Sequence, residues 1–218
     1  MSEILIRASS IGKSMTEPRT KAEGILSKGA KTYLHGLARQ EILGIEDVIT
    51  SKEMEKGIEC EPESIALLNR VLGLSLVKNT ERRTRHGITG ECDLFDAPAR
   101  RGYDLKTSWS SRTWPAFVAD AEDPVYEWQA RAYMMLWDAD EWEIDYALID
   151  TPERLIGYED FSMHTVGHIP EHMRLTRWII PRDFDKERLM IERVAAAREF
   201  LGDAIREFDQ THQQLEAA

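Results

Sequence analysis

The segments Gly87 to Phe95 and Gly102 to Thr107 constrain this chain more than any other part of it. Both read as strands, and Asp96-Ala97-Pro98-Ala99-Arg100-Arg101 between them has turn chemistry. Helical patterns dominate the sequence on either side. A sheet in mid-chain with helices around it predicts a single α/β domain over residues 1–218, built on a central mixed β-sheet flanked by helices. A length of 218 residues is enough to bury a substantial core.

The spacing of Ile25, Leu26, Tyr33, Leu34, Leu37, Ala38 and Ile42 predicts a helix from Thr20 to Gly44. A second helix is predicted from about Ser51 to Leu72, stopped by Gly73 and kinked or split at Pro62. Leu74 to Lys78 reads as a strand, and residues 108–122, without periodicity, as a loop. Asp123-Pro124 should open a helix that reaches about Trp137. Further strands are expected at Glu141 to Ile149, Leu155 to Met163 and Leu175 to Ile180. Asp183 should cap a long final helix over about 183–214.

Several classes are excluded. The longest apolar run, Ala132 to Trp137, is far too short to span a membrane. Met1-Ser2-Glu3 opens no secretory signal, so a cytoplasmic protein is expected. Cys60 and Cys92 are the only cysteines, too few for a four-cysteine zinc or iron–sulfur site. A net charge of −11 speaks at first against nucleic acid as a partner, but its distribution matters more. Residues 1–40 carry seven Lys/Arg against three Asp/Glu, residues 78–112 eight against five, and residues 113–163 two against thirteen. The basic excess surrounds the two central strands, a pattern compatible with a basic channel in an acidic surface.

Those strands also carry the chemistry. Gly90-Glu91-Cys92-Asp93 is followed, ten residues on, by Asp104-Leu105-Lys106-Thr107. Strand side chains alternate faces, so Asp104 and Lys106 share one face and Leu105 points into the core. Asp93 is expected at the end of the preceding strand. Two carboxylates and an ammonium close together suit metal-dependent phosphodiester hydrolysis: the carboxylates hold a divalent cation, and the lysine assists the attacking water or the developing charge.

With these residues in place the chain resembles the PD-(D/E)XK nuclease superfamily. The resemblance is closest to the lambda-type phage and alkaline exonucleases, with the YqaJ-like viral recombinases, and to RecB-type nuclease domains. Four matches carry it, in order: Glu61 within Gly57-Ile58-Glu59-Cys60-Glu61-Pro62, Asp93, Asp104-Leu105-Lys106-Thr107, and Gln129-Ala130-Arg131-Ala132-Tyr133, which looks like a Gln-x-x-x-Tyr motif. Arg7-Ala8-Ser9 is similar to a family segment whose serine lies near the substrate phosphate. Cys92 stands where the superfamily's name records proline, and position 104 is aspartate rather than glutamate.

The resemblance implies a restriction-endonuclease-like core. It implies that Asp93, Asp104, the Leu105 carbonyl and Glu61 ligate Mg²⁺ or Mn²⁺. Lys106 would then orient or deprotonate the attacking water, or neutralise charge on the phosphate. Gln129 and Tyr133, one turn apart, would share a face that orients Lys106 or the DNA. Arg82, Arg83, Arg85 and His86 are candidates for phosphate contacts, and Trp109 and Trp114 for stacking on a base. The implied activity is digestion of one strand of linear duplex DNA from an end. Mononucleotides are released, and the exposed strand passes to a single-strand annealing protein; relatives form toroidal trimers. The alternatives are a RecB-like or restriction-type endonuclease, and a non-catalytic DNA-binding module on the same fold.

Each residue also has a plainer role open to it. Asp93 and Asp104 can serve as turn and strand-end residues in surface ion pairs, and Glu61 as a helix surface residue. The arginines can form a solvated face, the tryptophans and the Gln129/Tyr133 pair can be packing residues, and Ser9 can cap a turn. Two other patterns fail. Gly24 to Thr32 resembles a phosphate-binding loop but is one residue too long and lacks a preceding strand. His164, His168 and His172 have Gly167 and Pro170 between them, which argues against a helical zinc set.

Overall fold

The computed structural model describes residues 4–45 and 50–216; Met1-Ser2-Glu3 lies outside them. β1 (Ile6–Arg7) runs directly into a 3-10 turn, Ala8–Ser14. α1 (Lys28–Leu43) starts later than the predicted Thr20. Gly24, at φ +74°, breaks the helical path, and the Ser27 hydroxyl caps the true start by accepting from Ala30 N–H at 3.0 Å. Gly44 closes the helix in the left-handed region, as its position in the sequence predicts.

The second predicted helix is split. α2 (Lys52–Glu59) and α3 (Glu61–Leu72) meet at Cys60, and Pro62 lies in the first turn of α3, where its missing N–H costs nothing. Leu74 to Lys78 forms no strand. Asn69 holds that stretch instead, donating to Leu76 O at 2.8 Å and accepting from Leu76 N–H at 3.0 Å.

β2 (Arg83–Arg85) precedes the one strand expected from Gly87 to Phe95 and lies outside that range, and β3 (Ile88–Gly90) and β4 (Leu94–Asp96) replace that strand. β3 joins β1 and β2 in a three-stranded sheet of order β1-β3-β2. β4 opens the second sheet, followed by β5 (Arg101–Thr107). Glu91-Cys92-Asp93 is therefore the crossing between two sheets, and Asp93 precedes a strand rather than ending one.

The expected loop over 108–122 contains a short helix, α4 (Val118–Ala121). α5 (Pro124–Trp137) matches its prediction, with Asp123 accepting from Val125 N–H at 2.7 Å. β6 (Glu141–Ala147) follows. The strand expected from Leu155 to Met163 is instead α6 (Glu153–Ile156) and a 3-10 turn at Phe161–Met163. β7 (Leu175–Pro181) leads into α7 (Phe184–Glu216), capped by Asp183, whose carboxylate accepts from the N–H groups of Asp185 and Lys186.

The second sheet has the order β4-β5-β6-β7, with β5 and β6 parallel and both outer pairs antiparallel. It is the mixed sheet expected in mid-chain, and helices cover both faces. Asp104 pairs with Ile144 and Lys106 with Tyr146, so these four share the face that α5 covers. The main core lies there: Tyr133, Trp137, Trp142 and Ile144 pack with side chains of α1 and α7. On the opposite face Tyr103 and Leu105 meet Leu68 and its neighbours on α3.

Two close approaches need glycine. A Cβ on Gly102 would stand 2.1 Å from the Trp142 ring, and one on Gly12 would stand 2.7 Å from Val125 Cα. The second contact seats the N-terminal 3-10 turn against the start of α5. Among the described residues, no helix is long and apolar enough to cross a membrane.

Candidate active site

β5 runs along the floor of a cleft of about 700 Å³, and its alternation lifts Asp104 and Lys106 into that space. Asp104 is almost fully buried, and Lys106 Nζ lies 2.5 Å from its Oδ2. Asp93, arriving from the sheet crossing, accepts the Leu105 N–H on Oδ2 at 2.9 Å. A single backbone amide thus ties the aspartate to the strand that carries the Asp-x-Lys triplet.

α5 supplies the opposite wall. Tyr126, Gln129 and Tyr133 fall on one face of it and line the cleft. Gln129 Nε2 donates to Asp104 Oδ1 at 2.7 Å. Gln129 was expected to orient Lys106 or the DNA; here it holds the carboxylate, and the Tyr126 ring centroid lies 4.4 Å from Lys106 Nζ. Tyr133 is buried, packs on Trp137 and Trp142, and donates its hydroxyl to Glu91 O at 3.1 Å. Its place at the back of the cleft is a packing position rather than an open DNA-contact surface.

The remaining sequence candidates divide. Ser9 and Glu61 line the cleft. The Glu61 carboxylate is paired with Lys78, and among the described residues no three acidic, histidine or cysteine side chains converge as a metal set. Arg82 pairs with Glu91 at 3.3 Å and remains exposed, and Arg85 is exposed on β2. Arg83 is tied to Glu81 and lies over the Trp137 ring, which makes it a brace between β2 and α5. Trp109 borders the cleft but is buried, donating to Glu159 and packing its ring edge-on against His164. Trp114 donates to Tyr146 O at 3.2 Å. Trp109 is thus a buried anchor, whereas Trp114 is held by its indole N–H and stays half-buried.

Burial, and then the neighbouring Asp104 charge, push Asp93 up to about 7, against the pull of the Leu105 N–H and of Lys106. Burial works against the charge on Lys106, but Asp104 outweighs it and holds the ammonium above its ordinary range. Two carboxylates close enough that the Asp104 charge helps to raise Asp93 suit a small divalent cation. Mg²⁺ in particular is commonly held by one or two carboxylates with waters and substrate oxygens completing its shell, so Asp93 and Asp104 fit it without a third acid.

Sequence reasoning missed Lys56. This residue is fully buried on α2, and its ammonium donates to Ser108 O, Trp109 O and Ile149 O at 2.7, 3.0 and 2.7 Å. It fastens α2 to the segments that follow β5 and β6. Burial lowers it to about 8. A lysine on an otherwise charged helix carries no sequence signal of this role. Tyr126 and Tyr146, which also line the cleft, were missed as well; for Tyr126 the i, i+3 spacing to Gln129 was an available signal.

The fold and this cleft define an α/β nuclease with a restriction-endonuclease-like core. A phage-related exonuclease from Haemophilus somnus 129PT has a solved structure similar to this chain, at 35% identity over 94% of this chain and 97% of that one, with a TM-score of 0.89. The chain belongs to that family, the phage-related, lambda-type exonucleases. An alkaline exonuclease from Laribacter hongkongensis, LHK-Exo, shares the fold at 16% identity over 98% of this chain and 95% of that one, with a TM-score of 0.71. Its complex with dAMP gives 18% identity over the same shares and a TM-score of 0.69. No family model and no curated protein matches the sequence.

Proposed function

We propose that this protein is a divalent-metal-dependent exonuclease that digests one strand of linear duplex DNA from an end. It releases mononucleotides and leaves a single strand for an annealing partner. The observation that carries the reading is the arrangement of Asp93, Asp104, Lys106 and Gln129 in one cleft. Family membership with a phage-related exonuclease supports it, and so does the dAMP complex of the more distant LHK-Exo.

Asp93, Asp104 and the Leu105 carbonyl would hold Mg²⁺ or Mn²⁺, with Glu61 reaching it through water. When bound, such an ion supplies Lewis-acid stabilisation of phosphoryl oxygens and a water of lowered pKa. Gln129 keeps Asp104 in one orientation, so the carboxylate need not reorganise during the reaction. Lys106 places a positive charge beside Asp104, where it neutralises the charge that develops on a phosphate in the cleft. Ser9, which lines the cleft, would offer a hydroxyl to that phosphate, and the exposed Arg82 and Arg85 would offer positive charge outside it. A ring of three copies around the duplex belongs to the same reading.

The test is digestion of linear and covalently closed circular duplex DNA with Mg²⁺, with EDTA, and with Asp104→Ala. Metal-dependent loss of linear DNA alone, with mononucleotide products, is the expected result. Cutting of the circle would replace it with an endonuclease. Binding of both substrates without cleavage would leave a DNA-binding module.

A further inference from the structure

We infer that Tyr126 is a positioning residue for this reaction: its ring holds the Lys106 ammonium in the cleft beside Asp104. The inference rests on the nuclease reading above and names a residue which that reading does not use.

The geometry is a clamp from one helix. Gln129 reaches Asp104 Oδ1 at 2.7 Å, and Lys106 lies 2.5 Å from Oδ2 of the same carboxylate. Three residues earlier on α5, the Tyr126 ring centroid lies 4.4 Å from the same ammonium. Residues at i and i+3 share a helix face, so α5 addresses the carboxylate with one side chain and the ammonium with the other. Lysine is a point charge on a flexible four-carbon stem, and an ion pair alone fixes it poorly. Asp93 offers a second carboxylate nearby, and its charge is felt at Lys106. An aromatic face attracts a cation through its quadrupole and restricts the stem without competing for the ammonium's hydrogen bonds. Among the described residues no ion pair to Lys106 other than that with Asp104 takes this role. The neighbouring Tyr146 hydroxyl is already committed to Ala121 O at 3.1 Å. The contact to the ammonium is made by the face of the Tyr126 ring, which makes the ring its working part.

The experiment compares the wild type with Tyr126→Phe, Tyr126→Leu, and a series carrying mono-, di- and trifluorinated phenylalanine at position 126. Each is assayed for kcat and KM on linear duplex DNA with Mg²⁺, and for affinity to the same DNA in Ca²⁺. Tyr126→Phe should keep kcat within about 2-fold, while Tyr126→Leu should lose roughly 3- to 30-fold in kcat, the range expected of one cation–π contact. KM and the Ca²⁺ affinity should stay near wild type. Across the fluorinated series, which keeps the ring's shape while draining its face of charge, log kcat should fall stepwise. A flat series, or a loss confined to KM, would overturn the inference while leaving the nuclease reading intact. An inactive wild type would overturn both.

Discussion

Gln129 Nε2 donates to Asp104 Oδ1 at 2.7 Å, across the gap between α5 and β5. The two residues are far apart in sequence, and both are almost fully buried. The bond leaves Asp104 one oxygen for Lys106 and fixes the plane of the carboxylate.

Removing that donor should damage the reaction more than the fold. Gln129→Leu is expected to cut kcat by about 10- to 100-fold, the usual cost of losing the partner that orients a ligand. Gln129→Glu should be at least as poor, because it sets a third negative charge against Asp104. Steady-state kinetics on linear duplex DNA checks both, and wild-type activity in either variant would remove Gln129 from the site.

Metal should stabilise the folded protein. A ligand at 100 times its Kd adds about 2.7 kcal/mol to stability when it binds the folded state alone. Mg²⁺ or Mn²⁺ is therefore expected to raise the Tm of the wild type but not of Asp104→Ala. Equal shifts in both, read by differential scanning calorimetry, would remove the metal site from this cleft.

The acid pair gives a pH signature to the metal-free protein. Asp93 is pushed up to about 7 in the folded state from an ordinary 3.8, so the folded chain keeps a proton that the unfolded chain has lost between those values. The contribution of Asp93 to stability is thus greatest at acid pH, falls as pH rises toward 7, and is constant above. In EDTA, Tm should be lower at about pH 7.5 than at about pH 5.5, and Asp93→Asn should lessen the difference. An unchanged pH profile in that variant would assign the dependence to other groups.

Lys56 should matter for stability. Lys56→Met strands three buried carbonyls at once, those of Ser108, Trp109 and Ile149. The expected loss is about 3–5 kcal/mol, comparable to breaking a buried charged partnership. Urea unfolding measures it, and a change below about 1 kcal/mol would mean that water or a shifted helix replaces the ammonium.

Much of this architecture was legible because it rests on local rules. The α5 boundaries follow from Asp123-Pro124 and an apolar helix. The α2–α3 break follows from Pro62, and the α7 start from Asp183. The failures also have local causes. Leu74 to Lys78 looks like a strand, yet an asparagine side chain satisfies its backbone. Leu155 to Met163 is apolar enough for a strand, but Gly157 at φ +66° divides it into helical turns. The two-residue β1 is too short for any period to register.

By itself the sequence determined the mixed α/β layout and the strand that carries Asp104 and Lys106 on one face. Periodicity, caps and alternation act within a few residues, and reading them needs no partner. Only the tertiary structure decided what those side chains touch. It brought Asp93 onto the Leu105 amide through the sheet crossing, turned Gln129 to Asp104 rather than Lys106, and paired Glu61 with Lys78. It also took Trp109 into a buried polar contact and set Tyr126 over the lysine. Such pairings depend on how helices seat against a sheet, on packing between segments distant in sequence, and no local pattern encodes them.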